Sequence, residues 1–445
     1  MSVQVLQGDC VAILPTLPPD TFDSCVTDPP YHLTSIVKRF GATAVGDDTQ
    51  TSDRSRRRAD GYARLATGFM GKKWDGSDVA FRPETWAEVL RVLKPGSHLF
   101  AFGGTRTYHR LACAIEDAGF EIRDQFAWTY ASGFPKSHDV SKAIDKAAGV
   151  DVPTKAAGGG TVNAYGDGLN VPWGSRTSHL PFSDSARAWA GWGTAVKPAW
   201  EPLCLARKPL SEPTVAANVL RWRTGALNID ACRIATDDAL GGGGEHAETA
   251  GKFTNEGWRR PWMDDPEASE AFAAKVRANV QKAQALGRWP ANLAHDGSEE
   301  VLAAFPQQSS VTGKRTERSK SAVVQGTQWL ADNHQSAEHT DSGSPARFFF
   351  CPKADAADRA GSKHPTVKPV DLIRHYLRLI TPPGGLVLDC FAGSGTTGEA
   401  AMLEGFNATL IDSDPQSVAD MRHRLARWSG QDAPLFSGNS TSEVA

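Results

Sequence analysis

Short apolar runs alternate with amphipathic stretches in the first 130 residues of the chain. Each run is bounded by glycine, proline or charged residues, which is typical of a buried strand. Between the runs, apolar side chains recur at the spacing of a helix face, as at Trp86, Val89 and Leu93. We predict strands at residues 3–6, 22–27, 97–102 and 121–130, and helices at residues 10–17, around 86–93 and around 108–115.

The same alternation returns near the end of the chain. Predicted strands at 386–390 and 408–411 alternate with predicted helices at 369–380, 395–403 and 415–428. Parallel strands need long crossover connections, which are usually helices, so this alternation indicates a parallel sheet with helices on both faces. The sequence therefore predicts the α/β class, with a doubly wound, Rossmann-like sheet.

A middle region at residues 131–345 interrupts this alternation. Glycine runs and a polar stretch at 307–344 predict loops, and only residues 266–286 have a clear helical pattern. Ten of the 13 tryptophans lie between Trp128 and Trp329, so we expect a small core there. The tryptophans expected in that core are Trp189, Trp192 and Trp200. The predicted organisation is a first region at 1–130, an irregular α+β insertion at 131–345, a third region at 346–430 and a loose tail at 431–445.

Composition and charge narrow the class of protein. Hydrophobic residues make up 40% of the chain and charged residues 22%, with a formal net charge of −3, as in an ordinary globular protein. The 7 cysteines form no C-x-x-C pair and the 12 histidines show no metal-binding spacing, so we predict no metal site and reduced thiols. No leader-like or membrane-spanning apolar run is evident, and we expect a cytoplasmic protein.

A glycine-rich turn follows a predicted strand near the end of the chain. It contains Asp389, Phe391, Gly393 and Gly395 at the point where a helix begins. Glycines let a backbone approach a ligand closely, and a helix N-terminus offers N–H groups to it. Asp412 ends the next strand, where a carboxylate can bind ribose hydroxyls. The turn lacks the G-x-x-x-x-G-K-[ST] pattern, which argues against a nucleoside triphosphate.

A second motif, Asp28-Pro29-Pro30-Tyr31, follows the strand predicted at 22–27. The two prolines fix the backbone and leave carbonyl oxygens without N–H donors beside them. A carboxylate next to such carbonyls suits a ligand that only donates hydrogen bonds, such as an amino group. The ring of Tyr31 offers a flat surface on which a base can stack.

The two motifs together, in this order, resemble the beta class of amino-group DNA methyltransferases. In that class the Asp-Pro-Pro-Tyr block comes first, a target-recognition region second and the glycine-rich block last. The match extends to Gly8-Asp9-Cys10, His364-Pro365-Thr366-Val367-Lys368-Pro369 and Lys197-Pro198-Ala199-Trp200-Glu201-Pro202. The last of these segments is similar to phage and prophage adenine methyltransferases. Cys390 departs from the family, which usually has proline at that position.

This resemblance implies transfer of a methyl group from S-adenosylmethionine to an amino group of a DNA base that is flipped out of the duplex. Asp28 and the Pro29 carbonyl would accept hydrogen bonds from that amino group, Pro30 would complete the rigid turn, and Tyr31 would stack on the base. The three regions would then be a catalytic half, a target-recognition region and a cofactor-binding half. The implied cofactor-binding residues are Asp9, Cys10, Thr366, Lys368, Asp389, Phe391, Gly393, Gly395 and Asp412.

Basic clusters indicate where double-stranded DNA would bind, because phosphate contacts need lysine or arginine. The predicted DNA-binding residues are Arg56, Arg57, Arg58, Lys72, Lys73, Arg221 and Arg223. The resemblance leaves a homodimer and a separate restriction endonuclease open as further partners.

The target base is adenine N6 in our interpretation, because the family tends to have serine in place of Asp28 when cytosine N4 is methylated. Cytosine N4 remains the alternative. Carbon-5 methylation needs a Pro-Cys nucleophile, and the chain has no Pro-Cys dipeptide. An alternative of another class is a non-catalytic DNA-binding protein with a methyltransferase fold, against which the intact Asp28-Pro29-Pro30-Tyr31 block argues.

Overall fold

A mixed eight-stranded sheet is the main element of the described part of the chain. The computed structural model describes residues 2–31, 78–131, 133, 137–149, 183–236, 265–311, 340–352, 358 and 367–428. The strands of this sheet are β1 (Val3–Gln7), β2 (Phe22–Thr27), β3 (Leu93–Phe102), β4 (Glu121–Thr129), β5 (Trp200–Arg207), β6 (Leu293–His295), β9 (Leu386–Asp389) and β10 (Asn407–Asp412). A separate antiparallel pair consists of β7 (Gln308–Val311) and β8 (Thr340–Gly343).

The helices agree closely with the helical patterns in the alternating segments. They are α1 (Cys10–Ile13), α2 (Pro83–Val92), α3 (Tyr108–Asp117), α4 (Val140–Ala147), α5 (Asp184–Ala188), α6 (Val215–Trp222), α7 (Pro266–Leu286), α8 (Glu299–Ala304), α9 (Val370–Ile380), α10 (Thr396–Glu404) and α11 (Pro415–Ala426). None of the helices in the described ranges is long and apolar enough to cross a membrane.

The strand order is β1-β10-β9-β2-β3-β5-β4-β6. The first five strands in this order run parallel, which confirms the predicted doubly wound α/β fold. The sheet is nevertheless mixed, because β5 lies antiparallel between β3 and β4. The sequence pattern does not predict a strand at residues 200–207, because no crossover helix flanks this segment and it lies within the irregular middle region.

Helices cover both faces of the sheet, and the alternation of side chains along β3 shows how. Phe100 and Phe102 point to the face covered by α9, where the ring of Phe100 stacks on that of Tyr376 with centroids 4.7 Å apart. Leu99 and Ala101 point to the opposite face, which packs against α2 and α3. Because successive strand residues face opposite sides, a segment covered on both faces reads as a continuous apolar run, as at residues 99–102.

The contacts divide the chain into two compact units, Ala131–Ala199 and the rest. Within the smaller unit, the Ser183 hydroxyl donates to Asp145 Oδ1 over 2.7 Å and thereby links α5 to α4. Residues 200–207 of the predicted middle region form β5 of the main sheet. The assignment of separate functions to the predicted regions stays a prediction.

The expectation that three tryptophans of the middle region are core residues is wrong. Trp189, Trp192 and Trp200 are 45%, 60% and 39% exposed. The rings of Trp189 and Trp192 pack edge to face, 5.0 Å apart, so they cover part of each other rather than a larger core.

Two glycines at the ends of α10 allow a test of this packing. Gly395 and Gly405 have φ values of +83° and +79°. A Cβ at Gly395 would lie 2.5 Å from Met421 Cγ, whereas nothing lies within 4 Å of a Cβ at Gly405. We expect Gly405→Ala to lower the free energy of unfolding by about 1 kcal/mol through backbone strain. Gly395→Ala should lower the free energy of unfolding by about 1–3 kcal/mol more, because the added methyl group would overpack the core against Met421. Urea titration of both variants measures the difference, and equal losses would contradict this account of α10.

Candidate active site

The carboxyl ends of β2 and β9 lie side by side at the point where the strand order reverses. The two strands pair in parallel, with Cys25 opposite Leu388, so Asp28 and Asp389 come to the same edge of the sheet. The Thr27 hydroxyl donates to Asp389 Oδ1 over 2.7 Å and joins the two strand ends directly. In doubly wound folds, ligands bind outside the carboxyl ends of strands at such a reversal. The two sequence motifs therefore meet at the place where this fold binds ligands.

Asp28 is held by two hydrogen-bond donors. Its Oδ1 accepts a hydrogen bond of 2.8 Å from the Tyr31 hydroxyl, and its Oδ2 accepts one of 2.7 Å from Lys368 Nζ. The Thr107 hydroxyl donates to the Tyr31 carbonyl over 2.9 Å and anchors the end of the motif. A Cβ at Gly104 would lie 3.2 Å from Tyr31 Cβ, so this glycine permits the close approach. The Asp-Pro-Pro-Tyr turn is thus rigid and braced at both ends.

Lys368 is a buried cation between two carboxylates. Its ammonium lies 2.7 Å from Asp28 Oδ2 and 3.1 Å from Glu201 Oε2, and the side chain is 7% exposed. Burial opposes the charged form, but Asp28 and Glu201 raise the pKa of Lys368 above the usual lysine value. The family resemblance implies that this lysine lies near the cofactor, whereas its contacts in the structure are with Asp28 and Tyr31. Its cofactor-binding role stays a prediction.

Glu201 was not predicted as a site residue, although it lies in the Lys197–Pro202 segment that matched the family. The antiparallel direction of β5 explains its position. Leu203 pairs with Phe102 near the end of β3, so the start of β5 lies at the same edge as Asp28. Only an antiparallel strand can bring its first residues to this edge.

Tyrosine hydroxyls complete the polar cluster. Burial, followed by the charges of Asp28 and Glu201, raises the pKa of Tyr31 well above its usual value. Burial and Glu201 also raise the pKa of Tyr130, against a smaller lowering by Lys368. Both hydroxyls therefore stay protonated at neutral pH and can act as donors to carboxylates.

The glycine-rich turn surrounds the buried carboxyl group of Asp389, which is 2% exposed. Burial raises its pKa to about 6, against the opposing hydrogen bonds from Thr397, Thr27 and the Phe391 N–H. The Phe391 N–H donates to Asp389 Oδ1 over 3.1 Å. The turn is thus held by a carboxylate that still ionises at neutral pH.

Asp412, at the end of β10, holds the next part of the turn. Its Oδ2 accepts a hydrogen bond of 2.8 Å from the Gly393 N–H, and its carbonyl accepts one of 2.9 Å from the Gly8 N–H. Gly393 has a φ of +51°, which favours glycine at this position. The ends of β9, β10 and β1 are therefore joined through the glycine-rich turn.

Asp9 and Cys10 follow β1 at this edge. The Asp9 side chain accepts a hydrogen bond of 3.0 Å from the Val11 N–H and caps α1. Cys10 is 5% exposed, and burial raises the pKa of its thiol, which therefore remains protonated.

Arg424 is a second residue that the sequence motifs did not indicate. Its side chain is 1% exposed and forms a buried ion pair with Glu399 of α10. Its Nε donates to the Ser394 carbonyl over 2.9 Å, in the middle of the glycine-rich turn. A position on a helix thirty residues further along the chain carries no local sign of this contact.

Arg221 and Arg223 do not lie at this edge. Helix α6 packs where β3 begins, and the Asn218 side chain there donates to the Pro95 carbonyl over 2.9 Å. Arg223 donates to the Pro383 carbonyl over 2.9 Å, just before β9. Because β3 and β9 run parallel, their beginnings are at the edge opposite Asp28 and Asp389. The DNA-binding role of the two arginines stays a prediction.

The remaining predicted site residues lie outside the described residues. They are Thr366, Arg56, Arg57, Arg58, Lys72 and Lys73. Within the described ranges, no group of three or more histidine, cysteine, aspartate or glutamate side chains is arranged to hold a metal ion.

Comparison with known proteins assigns the chain to a family. The family model N6_N4_Mtase, described as DNA methylase, matches residues 22–151 and 248–422, which together make up more than half of the chain. The unmatched stretch between them falls within the irregular middle region.

Similarity to individual proteins covers less of their length. The type II methyltransferase M.HindIII of Haemophilus influenzae is 25% identical over 205 residues, which are 45% of this chain and 49% of that protein. The type II methyltransferase M.BglI of Bacillus subtilis is 35% identical over 86 residues, 19% of this chain and 24% of that protein. The chain thus spans about half or less of the length of these curated relatives.

Among solved structures, the chain is similar to the PvuII DNA methyltransferase, described as cytosine-N4-specific. The TM-score is 0.39 and the identity 14%, over 95% of this chain and 86% of that chain. By the family match, this chain belongs to the N6_N4_Mtase family of DNA methylases, which use S-adenosylmethionine as methyl donor.

Proposed function

We propose that this protein transfers a methyl group from S-adenosylmethionine to the N6 amino group of adenine in DNA, with the base flipped out of the duplex. The observation that carries the proposal is the direct contact between the two strand ends, where Thr27 joins the Asp28 turn to Asp389. An acceptor for an amino group and a turn suited to a nucleoside therefore lie within one edge of the sheet. Transfer between two bound molecules requires this proximity.

The residues at the glycine-rich turn fit the cofactor. Gly393 and Gly395 have positive φ values that shape the turn, and α10 begins directly behind them. Carboxylates at the ends of β9 and β10, from Asp389 and Asp412, suit a ligand with hydroxyl donors and cationic centres. We propose that these four residues, with Phe391, Asp9 and Cys10, hold S-adenosylmethionine. When bound, the cofactor supplies an electrophilic methyl group on a positively charged sulfur.

Asp28 and the Pro29 carbonyl would orient the amino group of the base. The amino lone pair is delocalised into the ring, so the nitrogen is a weak nucleophile. Two acceptors for its N–H groups would favour a tetrahedral nitrogen, whose lone pair can attack a methyl group. The cofactor would supply that methyl group and leave as a neutral thioether, and the methylated nitrogen would release one proton to water. The side chains contribute positioning and preorganised negative charge.

We favour adenine over cytosine as the target base, because aspartate rather than serine begins the Asp28-Pro29-Pro30-Tyr31 motif. Asp28 brings a full negative charge, and its two donors hold it in one orientation. Double-stranded DNA is the proposed partner, and the basic residues at 56–58, 72 and 73 are its proposed phosphate contacts.

Replacement of Asp28 tests the catalytic assignment. We expect Asp28→Ala to lower the rate of methyl transfer by about 100- to 1,000-fold, because one preorganised group at the reacting nitrogen is lost. Lys368 keeps Glu201 as a partner, so the variant should fold. The measurement uses labelled cofactor and unmethylated DNA, followed by hydrolysis and identification of the modified nucleoside.

Glu88→Gln provides the matched control, since Glu88 pairs with Arg91 at the end of α2, just before β3 begins and away from Asp28. This variant should retain the wild-type rate. Undiminished transfer by Asp28→Ala would refute the catalytic assignment, and N4-methylcytosine as the product would refute the choice of adenine.

The ionisation of Asp389 predicts a pH dependence of cofactor binding. Its pKa of about 6 lies above the value of 3.8 for a free side chain. Above pH 6 the carboxylate is charged and attracts the cationic cofactor, and as the pH falls through 6 it takes up a proton and this attraction is lost. We expect the Kd for S-adenosylmethionine to rise by up to about tenfold per pH unit below that value.

Calorimetric titration across this pH range, on the wild type and on Asp389→Asn, measures the effect. The asparagine variant should bind more weakly at neutral pH and show little change on acidification. An unchanged slope in that variant would assign the pH dependence to another group.

A further inference from the structure

The cluster around Lys368 contains more negative charges than positive ones. One ammonium group is shared by two carboxylates, Asp28 and Glu201, and the neighbouring hydroxyls of Tyr31 and Tyr130 are neutral. If Lys368 were paired with Asp28 alone, the two charges would cancel and the cluster would be neutral. With Glu201 present, the cluster keeps a net charge of −1.

Burial makes this remaining charge effective. The side chains of Lys368 and Glu201 are only 7% and 17% exposed, and the Lys368 ammonium lies 4.9 Å from the centre of the Phe102 ring. Charges in such surroundings are screened much less than charges in water. Glu201 Oε2 also lies 3.3 Å from the Tyr31 hydroxyl. Tyr31 and Lys368 therefore each contact both Glu201 and Asp28.

We propose that Glu201 is a positioning residue that holds Lys368 and Tyr31 on Asp28 and keeps the site net negative, so that the site selects a methyl donor with a positively charged sulfur. This inference rests on the proposed function and extends it to a residue of β5. During transfer, positive charge passes from sulfur toward the amino nitrogen beside Asp28. A net negative cluster stabilises that charge, whereas a neutral one would not. The cluster also favours the sulfonium over the neutral thioether product, S-adenosylhomocysteine.

The test compares the affinities of the sulfonium and thioether forms in variants of this cluster. For Glu201→Gln, which is isosteric but uncharged, we expect the ratio of the Kd for S-adenosylhomocysteine to that for S-adenosylmethionine to fall about tenfold, a change of about 1.4 kcal/mol. The double variant Glu201→Gln/Lys368→Met regains a net charge of −1 and should return to within about threefold of the wild-type ratio. Calorimetric titration with each compound, at mildly alkaline pH, gives both constants.

Two controls separate this effect from a structural one. Glu88→Gln, which lies away from this cluster in α2, should leave the ratio unchanged. Binding of the thioether by Glu201→Gln shows that the cofactor site is folded. If this variant does not bind the thioether, Lys368→Met alone serves instead, and its net charge of −2 should raise the ratio.

An unchanged ratio in Glu201→Gln, or a double variant that stays as low as the single one, would overturn the role of Glu201. An unchanged or lower ratio in Lys368→Met would do the same. Failure of the proposed function has a different signature, because the wild-type protein itself would then neither bind S-adenosylmethionine nor methylate DNA.

Discussion

The pairing of β2 with β9 is the constraint on which the rest of the site depends. These strands come from opposite ends of the chain, and side chains secure their contact at both ends. At the beginning, the buried carboxylate of Asp23 accepts a hydrogen bond of 2.8 Å from the Leu386 N–H and one of 2.6 Å from Lys94 of β3. At the carboxyl ends, the Thr27 hydroxyl binds Asp389. A shift of one residue in this register would turn Asp28 away from the glycine-rich turn.

The site concentrates charge where burial makes charge costly. Asp389, Lys368 and the Glu399–Arg424 pair are all nearly inaccessible to solvent. Hydrogen bonds replace the lost water around Asp389, and for Lys368 and the Glu399–Arg424 pair an opposite charge does so as well. A core of apolar residues would be easier to bury, but it could neither bind a cationic cofactor nor orient an amino group, the two roles that we propose for this site. The fold therefore retains polar groups that chemistry needs, and it fixes them through neighbours on other strands.

The sequence predicted those parts of the structure that local pattern controls. The strand at Phe22–Thr27 and the helix at Pro266–Leu286 agree with their predicted limits, because prolines follow the strand, and the helix begins at a proline and ends before Gly287. The two motifs were recognisable because ligand-binding turns need particular residues at fixed spacing, such as glycine with positive φ and proline without an N–H. One limit was wrong: the helix does end at Val92, just before Lys94-Pro95-Gly96, but β3 begins at Leu93 rather than at the predicted residue 97.

What only the tertiary structure decided was which distant residues share the site. Glu201 reaches Asp28 because β5 runs antiparallel to β3, and Arg424 braces the glycine-rich turn from the last described helix. Lys368 was noticed in the sequence, but its two carboxylate partners were not. Sequence pattern determines the direction in which a side chain leaves its own strand or helix. Which groups then lie within hydrogen-bond distance depends on strand order and direction, and these are set by packing over the whole sheet rather than by neighbours along the chain.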